Sequence, residues 1–266
     1  MFTLAGRTMI ITGGAGNNGL AMINAALENG MNVAFLSGLH SKAQNAIAKL
    51  DPKYKDQVIG FAQNPQSRLK ENLEAAPEIY NENSTMADVI RMIYERFGGI
   101  DVVVNAKGGH IRYNFEQTDQ TIWRHSMEVV ELAFVNTKLA LPYLLKSKAP
   151  RVINITTCDG RNGGWYPDPS FAAARAGLEA LTYEMAKELG PKGITSNCIL
   201  IGPIEGDVPE EDMLSDEMRA QLLAKTPVGR LGVPQDVVGA FCFLASEEAS
   251  FVNGARIDVN GGMIVG

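Results

Sequence analysis

Short apolar runs recur along this chain, and segments with helical spacing fill the gaps between them. TMIIT (8–12), NVAFLS (32–37), QVIGFA (57–62), DVVVN (101–105), RVINIT (151–156), ITSNCIL (194–200) and ARIDVNG (255–261) read as seven strands. Helical patterns run from about Leu20 to Asn29 and over 42–50, 87–97, 123–145, 171–189 and 236–246. Strands that are apolar nearly end to end need cover on both faces, and strands joined through helices run parallel. The pattern predicts an α/β fold with a doubly wound, seven-stranded parallel sheet. Residues 1–266 read as a single domain, since no repeat, low-complexity tract or linker interrupts the alternation.

Composition narrows the partners. Hydrophobic residues make up 45% and charged residues 20%, as in soluble globular proteins. A net charge of −6 opposes a broad phosphate-binding surface, so nucleic acid is not expected as a partner. Cys158, Cys198 and Cys242 are scattered and match no metal spacing, so no metal and no disulfide framework are expected. They read as small buried side chains in a reducing compartment. The opening MFTLAGRTMIITGG runs straight into a strand without the charged and apolar regions of a secretory signal. No run reaches 18 apolar residues, so no membrane span is expected and the cytoplasm is the default location.

The first strand ends in a turn rich in glycine, with Gly13, Gly14, Gly16 and Gly19 between strand and helix. Glycine there lets backbone approach a diphosphate closely, and the helix that follows turns free N–H groups and a positive dipole end toward the anion. The alternative is a tight strand-to-helix turn that binds nothing. The second strand ends in Ser37-Gly38-Leu39-His40-Ser41-Lys42. A carboxylate here would hold the ribose 2′-hydroxyl of NAD, and none is present. Ser37, His40, Ser41 and Lys42 suit a 2′-phosphate instead, which favours NADP(H) over NAD(H).

Taken together, these segments resemble the short-chain dehydrogenase/reductase family, whose fold is Rossmann-like. Its T-G-x-x-x-G-x-G turn appears as Thr12-Gly13-Gly14-Ala15-Gly16-Asn17-Asn18-Gly19. Its N-N-A-G appears as Val104-Asn105-Ala106-Lys107, with Gly108-Gly109 behind it. PVGRLGVPQDVVGAFCFLAS (227–246) and GARIDVNGG (254–262) are similar to its C-terminal segments. The resemblance covers nearly the whole chain apart from an insertion near 65–84. It implies that Gly13, Ala15, Gly16, Asn17, Asn18, Gly19, Asn105, Ala106, Lys107, Arg175, Gly202 and Ile204 contact a dinucleotide. It places a substrate lid near 204–226, where Met213, Leu214, Met218, Leu222 and Leu223 recur at helical spacing. It also implies a small-molecule substrate and a homodimer or homotetramer built on the helices near 123–145 and 171–189.

The departures fall on the catalytic residues that the resemblance implies. The family's tyrosine and lysine are replaced by Phe171 and Arg175, its serine by Thr157, and its asparagine by Val129 or Val130. Asn17 stands at the middle glycine of the first turn. Thr157 keeps a hydroxyl and Arg175 keeps a cation on the same helix face as Phe171. Phe171, however, has no exchangeable proton, and arginine does not release one. Tyr183-Glu184-Met185-Ala186-Lys187 does read Y-x-x-x-K, but it lies 12 residues further along the same helix. That offset, about 18 Å along the axis and about 120° around it, puts it in a different place. Tyr166, His110 and Asp168 are the candidate replacements for the proton donor, with Lys107 offsetting charge on the cofactor.

Three functions fit. One is an NAD(P)(H)-binding oxidoreductase acting on a small, apolar substrate with a non-standard proton donor. Another is a non-redox enzyme of isomerase, dehydratase or cyclase type. The last is a catalytically silent dinucleotide-binding protein.

Overall fold

The computed structural model of the protein describes residues 2–63, 85–108, 113–164, 168–206 and 215–266. Its strands are β1 (Thr8–Thr12), β2 (Asn32–Ser37), β3 (Val58–Ala62), β4 (Val102–Asn105), β5 (Arg151–Thr157), β6 (Thr195–Ile201) and β7 (Arg256–Val259). Its helices are α1 (Asn17–Glu28), α2 (His40–Ile47), α3 (Met86–Phe97), α4 (Gln120–Leu144), α5 (Asp159–Asn162), α6 (Pro169–Leu189), α7 (Asp216–Ala224) and α8 (Pro234–Ala245). All strand pairs are parallel, and the sheet order is β3-β2-β1-β4-β5-β6-β7.

Side chains alternate across a strand, so each strand feeds both layers. Met9, Ile11, Val33, Phe35, Val102 and Val104 join α1 and α8 in one core. Ile10, Ala34, Leu36, Val103 and Val152 join α3, α4 and α6 in the other. The seven expected strands are all present, with ends shifted by a residue or two.

All six expected helices begin earlier than their apolar spacing suggests, and in two of them the cap shows why. α1 starts at Asn17, since Gly16 holds an extended backbone (φ −78°, ψ 165°) as its N-cap. α6 starts at Pro169, preformed for the first helical position, behind the capping residue Asp168. The short α5 carries no periodic signal, being one turn only. The insertion expected near 65–84 lies outside the described residues, as do positions 207–214 of the segment expected to form a lid; α7 falls within the described rest of that segment.

Arg7 and Arg151 are buried at the end of the sheet opposite the glycine turn. Arg7 donates to the carbonyls of Ala245 and Ala149. Arg151 donates from Nε to Ser246 O at 3.0 Å, so both arginines tie the end of α8 to the sheet. Burial, reinforced by the charge of Arg7, brings the Arg151 guanidinium down to about 10.

The glycine turn is packed against the sheet. Gly13 has φ 69°, and a Cβ there would lie 2.3 Å from the carbonyl oxygen of Ala106 and 3.1 Å from Cα of Lys107. Gly38 has ordinary φ and open space around it. Gly13→Ala is expected to lose about 3 kcal/mol of stability, from left-handed backbone strain plus the clash. Gly38→Ala is expected to change stability by less than about 0.5 kcal/mol. Urea midpoints of the two variants check the contrast.

Candidate active site

β1 and β4 are neighbours in the sheet, but the chain leaves them toward opposite sides, which opens a crevice at their carboxyl ends. Thr12 pairs with Asn105 there, and Thr12 Oγ1 accepts the N–H of Ala106 at 3.0 Å. On one side of the crevice stands the first turn of α1. Gly16 offers no side chain, and no side chain among the described residues caps the helix. The N–H groups of this turn and the dipole of α1 therefore face the crevice as an anion cradle. A dinucleotide diphosphate fits such a turn: its glycines leave the backbone bare, and Gly19 must be glycine because a Cβ would lie 2.4 Å from Gly13 O. Asn17, at the position of the family's middle glycine, is exposed and donates from Nδ2 to the carbonyl of Gly206. It thereby ties the turn to the segment after β6. Ala15 is half-buried and Asn18 is buried.

At the end of β2, Ser37 and His40 are buried, Ser41 is half-buried and Lys42 is exposed. The turn therefore presents Lys42 and Ser41 to a ligand more than it presents Ser37 and His40. At the far side, Gly202 donates its N–H to Val259 O at 3.0 Å, and Ile204 forms an isolated parallel bridge with Gly232. Both line a cavity of about 380 Å³ that also borders Arg230, Asp236 and Asn260; no residue of the glycine turn borders it.

On the reaction side, α6 brings Asp168, Phe171 and Arg175 to the end of β5. Arg175 is 4% exposed. Its Nη1 donates to Ile155 O at 3.2 Å, and its Nη2 donates to Lys107 O at 3.3 Å. The guanidinium carbon lies 4.6 Å from the centre of the Phe171 ring. A desolvated cation over an aromatic face contributes about 2 kcal/mol. Thr156 Oγ1 donates to Arg175 O at 3.0 Å, so the helix is stitched to β5 at this level.

Thr157 is next along β5, and its buried Oγ1 has no hydrogen-bond partner among the described residues. A buried hydroxyl left so costs about 1–3 kcal/mol, which a ligand oxygen or nitrogen would recover. Asp168 is buried and holds the start of α6. Its Oδ1 accepts from Phe171 N at 3.0 Å and from Ser170 Oγ at 2.9 Å. Cys158 follows Thr157, but burial, then the charge of Asp159, pushes its thiol up to about 12, so it offers no thiolate.

The asparagine position is apolar: Val129 packs with Ala133, Ala174 and Leu178. Sequence reasoning missed the neighbour of that position. Glu128 reaches back to Lys107, with Oε2 2.5 Å from Nζ, and its Oε1 lies 3.5 Å from His125 Nδ1. Burial raises the Glu128 carboxyl, but the hydrogen bond and charge of Lys107, helped by His125, outweigh it and hold the group below its ordinary value. No spacing rule links residues 107 and 128; the available signal was a carboxylate beside the two valines that replace the asparagine.

Tyr183 is placed elsewhere. Its hydroxyl donates to Glu179 at 2.5 Å, and Glu179 is buried within reach of Arg161 and Arg256. Burial, then the Glu179 bond, raises the Tyr183 hydroxyl well above its ordinary value. Tyr166 and His110 lie outside the described residues. Among the described candidates, Arg175 touches both the Phe171 ring and the Lys107 carbonyl, and Thr157 ends β5.

A family model described as enoyl-(acyl carrier protein) reductase matches residues 17–264. The 3-oxoacyl-(acyl-carrier-protein) reductase FabG of Vibrio cholerae is 31% identical over 261 residues, 98% of each chain. That of Escherichia coli is 32% identical over 240 residues, covering 87% of this chain and 96% of its own. Among solved structures, a short-chain dehydrogenase/reductase described as glucose/ribitol dehydrogenase from Brucella melitensis has a TM-score of 0.84. It is 24% identical and is covered over 99% of its length by 100% of this chain. With the match running from α1 to beyond β7, the chain belongs to the short-chain dehydrogenase/reductase family of oxidoreductases.

Proposed function

We propose that this protein is an NADP(H)-dependent oxidoreductase of small, apolar carbonyl or imine compounds, working without the family's tyrosine. The observation that carries the reading is the meeting of the uncapped α1 turn, the end of β4 and Arg175 around Ala106 and Lys107. When bound, a nicotinamide dinucleotide supplies hydride to carbon or accepts it from carbon. The chain's part is to hold, orient and shield. The α1 turn and its glycines receive the diphosphate. Lys42 and Ser41, with no carboxylate beside them at the end of β2, favour a 2′-phosphate. Thr157 Oγ1 is the group suited to donate to a substrate oxygen or nitrogen. Arg175 keeps a permanent positive charge behind the reaction centre, and Phe171 keeps its surroundings apolar.

The two FabG relatives are 3-oxoacyl reductases by name, so a 3-oxoacyl thioester is the first substrate to try. Assembly as a homodimer or homotetramer is supported by Trp123, Phe134 and Leu145, large side chains left 42–50% exposed on or at the end of α4. No helix among the described residues is long and apolar enough to cross a membrane.

Titration calorimetry with NADPH and NADH tests the cofactor. NADPH is expected to bind about tenfold more tightly, and Lys42→Ala to remove most of that preference, about 1.4 kcal/mol. Equal affinities, or an unchanged ratio in the variant, count against the NADP(H) assignment. Hydride transfer is tested with 3-oxoacyl thioesters, small ketones and cyclic imines. Tight NADPH binding with no transfer to any of them favours the non-redox or silent readings instead. The Phe171→Tyr, Arg175→Lys double variant is expected to raise ketone reduction severalfold, since it adds the family's acid on a helix already held in place. A steady-state rate no higher than wild type overturns that expectation.

A further inference from the structure

Lys107 stands where three parts of the site converge. Its Cα faces the glycine turn, where a Cβ on Gly13 would come within 3.1 Å. Its carbonyl oxygen accepts from Arg175 Nη2 at 3.3 Å. Its ammonium turns to Glu128, 2.5 Å away, and the Lys107 side chain is only 24% exposed. Beyond Glu128 stands His125, 3.5 Å from the other carboxylate oxygen and 52% exposed. From the residue whose backbone carbonyl receives Arg175, the three side chains run outward as a line of exchangeable protons: Lys107 Nζ, Glu128, then the exposed His125. The charges that face Lys107 among the described residues are Glu128 and His125 on α4, and Arg175 on α6.

We propose that Lys107 is the catalytic acid–base of this enzyme, replacing the proton that Phe171 lacks, with Glu128 and His125 as positioning residues that reload it from solvent. This rests on the oxidoreductase reading above. In the reducing direction, the carbonyl carbon gains the hydride and the π pair moves to oxygen. Lys107 Nζ then gives one proton to that oxygen: an N–H bond breaks, an O–H bond forms, and a neutral amine remains. A proton from water, passed by way of His125 and Glu128, restores the ammonium. In oxidation the steps reverse. An ammonium is about as acidic as the phenol it replaces, so the transfer to an alkoxide is downhill in either case. Arg175 cannot take this role, because guanidinium does not give up its proton.

The decisive variant is Lys107→Arg, which keeps the charge and removes the transferable proton. The full-length chain is assayed with NADPH and two acceptors, a 3-oxoacyl thioester and a quaternary N-methyl dihydroisoquinolinium ion. The second needs hydride alone. Lys107→Arg is expected to bind NADPH within about threefold of wild type. It is expected to lower kcat for the ketone by about 10²-fold or more and to spare the iminium ion. Lys107→Met serves as the second variant if arginine disturbs the fold, with the same contrast between acceptors. Glu128→Gln is expected to lower kcat for the ketone severalfold and to spare the iminium ion, because the lysine loses the carboxylate that positions its ammonium.

Wild-type ketone rates in Lys107→Arg show that Lys107 supplies charge only and overturn the proposal, leaving the oxidoreductase reading intact. Absence of NADPH binding to the wild type overturns both. If NADPH binds and neither acceptor is reduced, ¹³C-methylated lysine resonances decide, with Lys107 assigned from its loss in Lys107→Met. A Lys107 signal that moves on NADPH addition, and moves again in Glu128→Gln, supports the proposal; an unmoved signal overturns it.

Discussion

A buried arginine needs acceptors on every side, and the reaction end of this protein is arranged around that need. Arg175 finds two of them in the backbone carbonyls of Ile155 and Lys107, and a third in the face of Phe171. Phe171 and Arg175 are therefore one physical unit. A fork-shaped guanidinium spans two strand ends at once, which a point-like ammonium does not do. A phenyl ring gives that cation an electron-rich face and asks for no hydrogen bond in return. Asp168 completes the unit by capping α6 through the Phe171 amide, so the helix that carries the pair starts at a fixed point.

What the unit lacks is a proton to give, and on the proposal made above Lys107 gives it instead. The asparagine position on α4 has gone to valine and joined an apolar cluster. One residue earlier, Glu128 turns the same helix toward Lys107. α6 keeps a cation in Arg175, and a second set of charged groups, Lys107 and Glu128, meets between the end of β4 and the first half of α4. Thr157 is the described group left with an unfilled hydroxyl among them.

Much of the fold was legible because burial imposes period and length. Seven continuous apolar runs between helical segments leave few arrangements other than a parallel sheet with two covered faces. The glycine turn was legible because close approach leaves a mark in composition: Gly13 abuts Ala106, and no other residue type would fit there. Helix starts were less so, since Gly16 and Asp168 act through backbone geometry and a single cap, without periodicity. Tyr183 shows the opposite case, a motif correct in its letters but placed a third of a turn out of phase and committed to Glu179. The Lys107–Glu128 pair was not legible at all, because a separation of 21 positions carries no spacing that brings a loop ammonium to a helix carboxylate.

The contact between Gly13 and residues 106–107 has a consequence for how the two ends of the crevice communicate. The same short stretch of backbone bears on the dinucleotide turn through its Cα and carbonyl side, and on Arg175 through the Lys107 carbonyl. A displacement there shifts both contacts together, so any coupling between the two subsites would run through it. Linkage makes such coupling reciprocal: a compound seated against Arg175 alters dinucleotide affinity by the same factor as the dinucleotide alters its own.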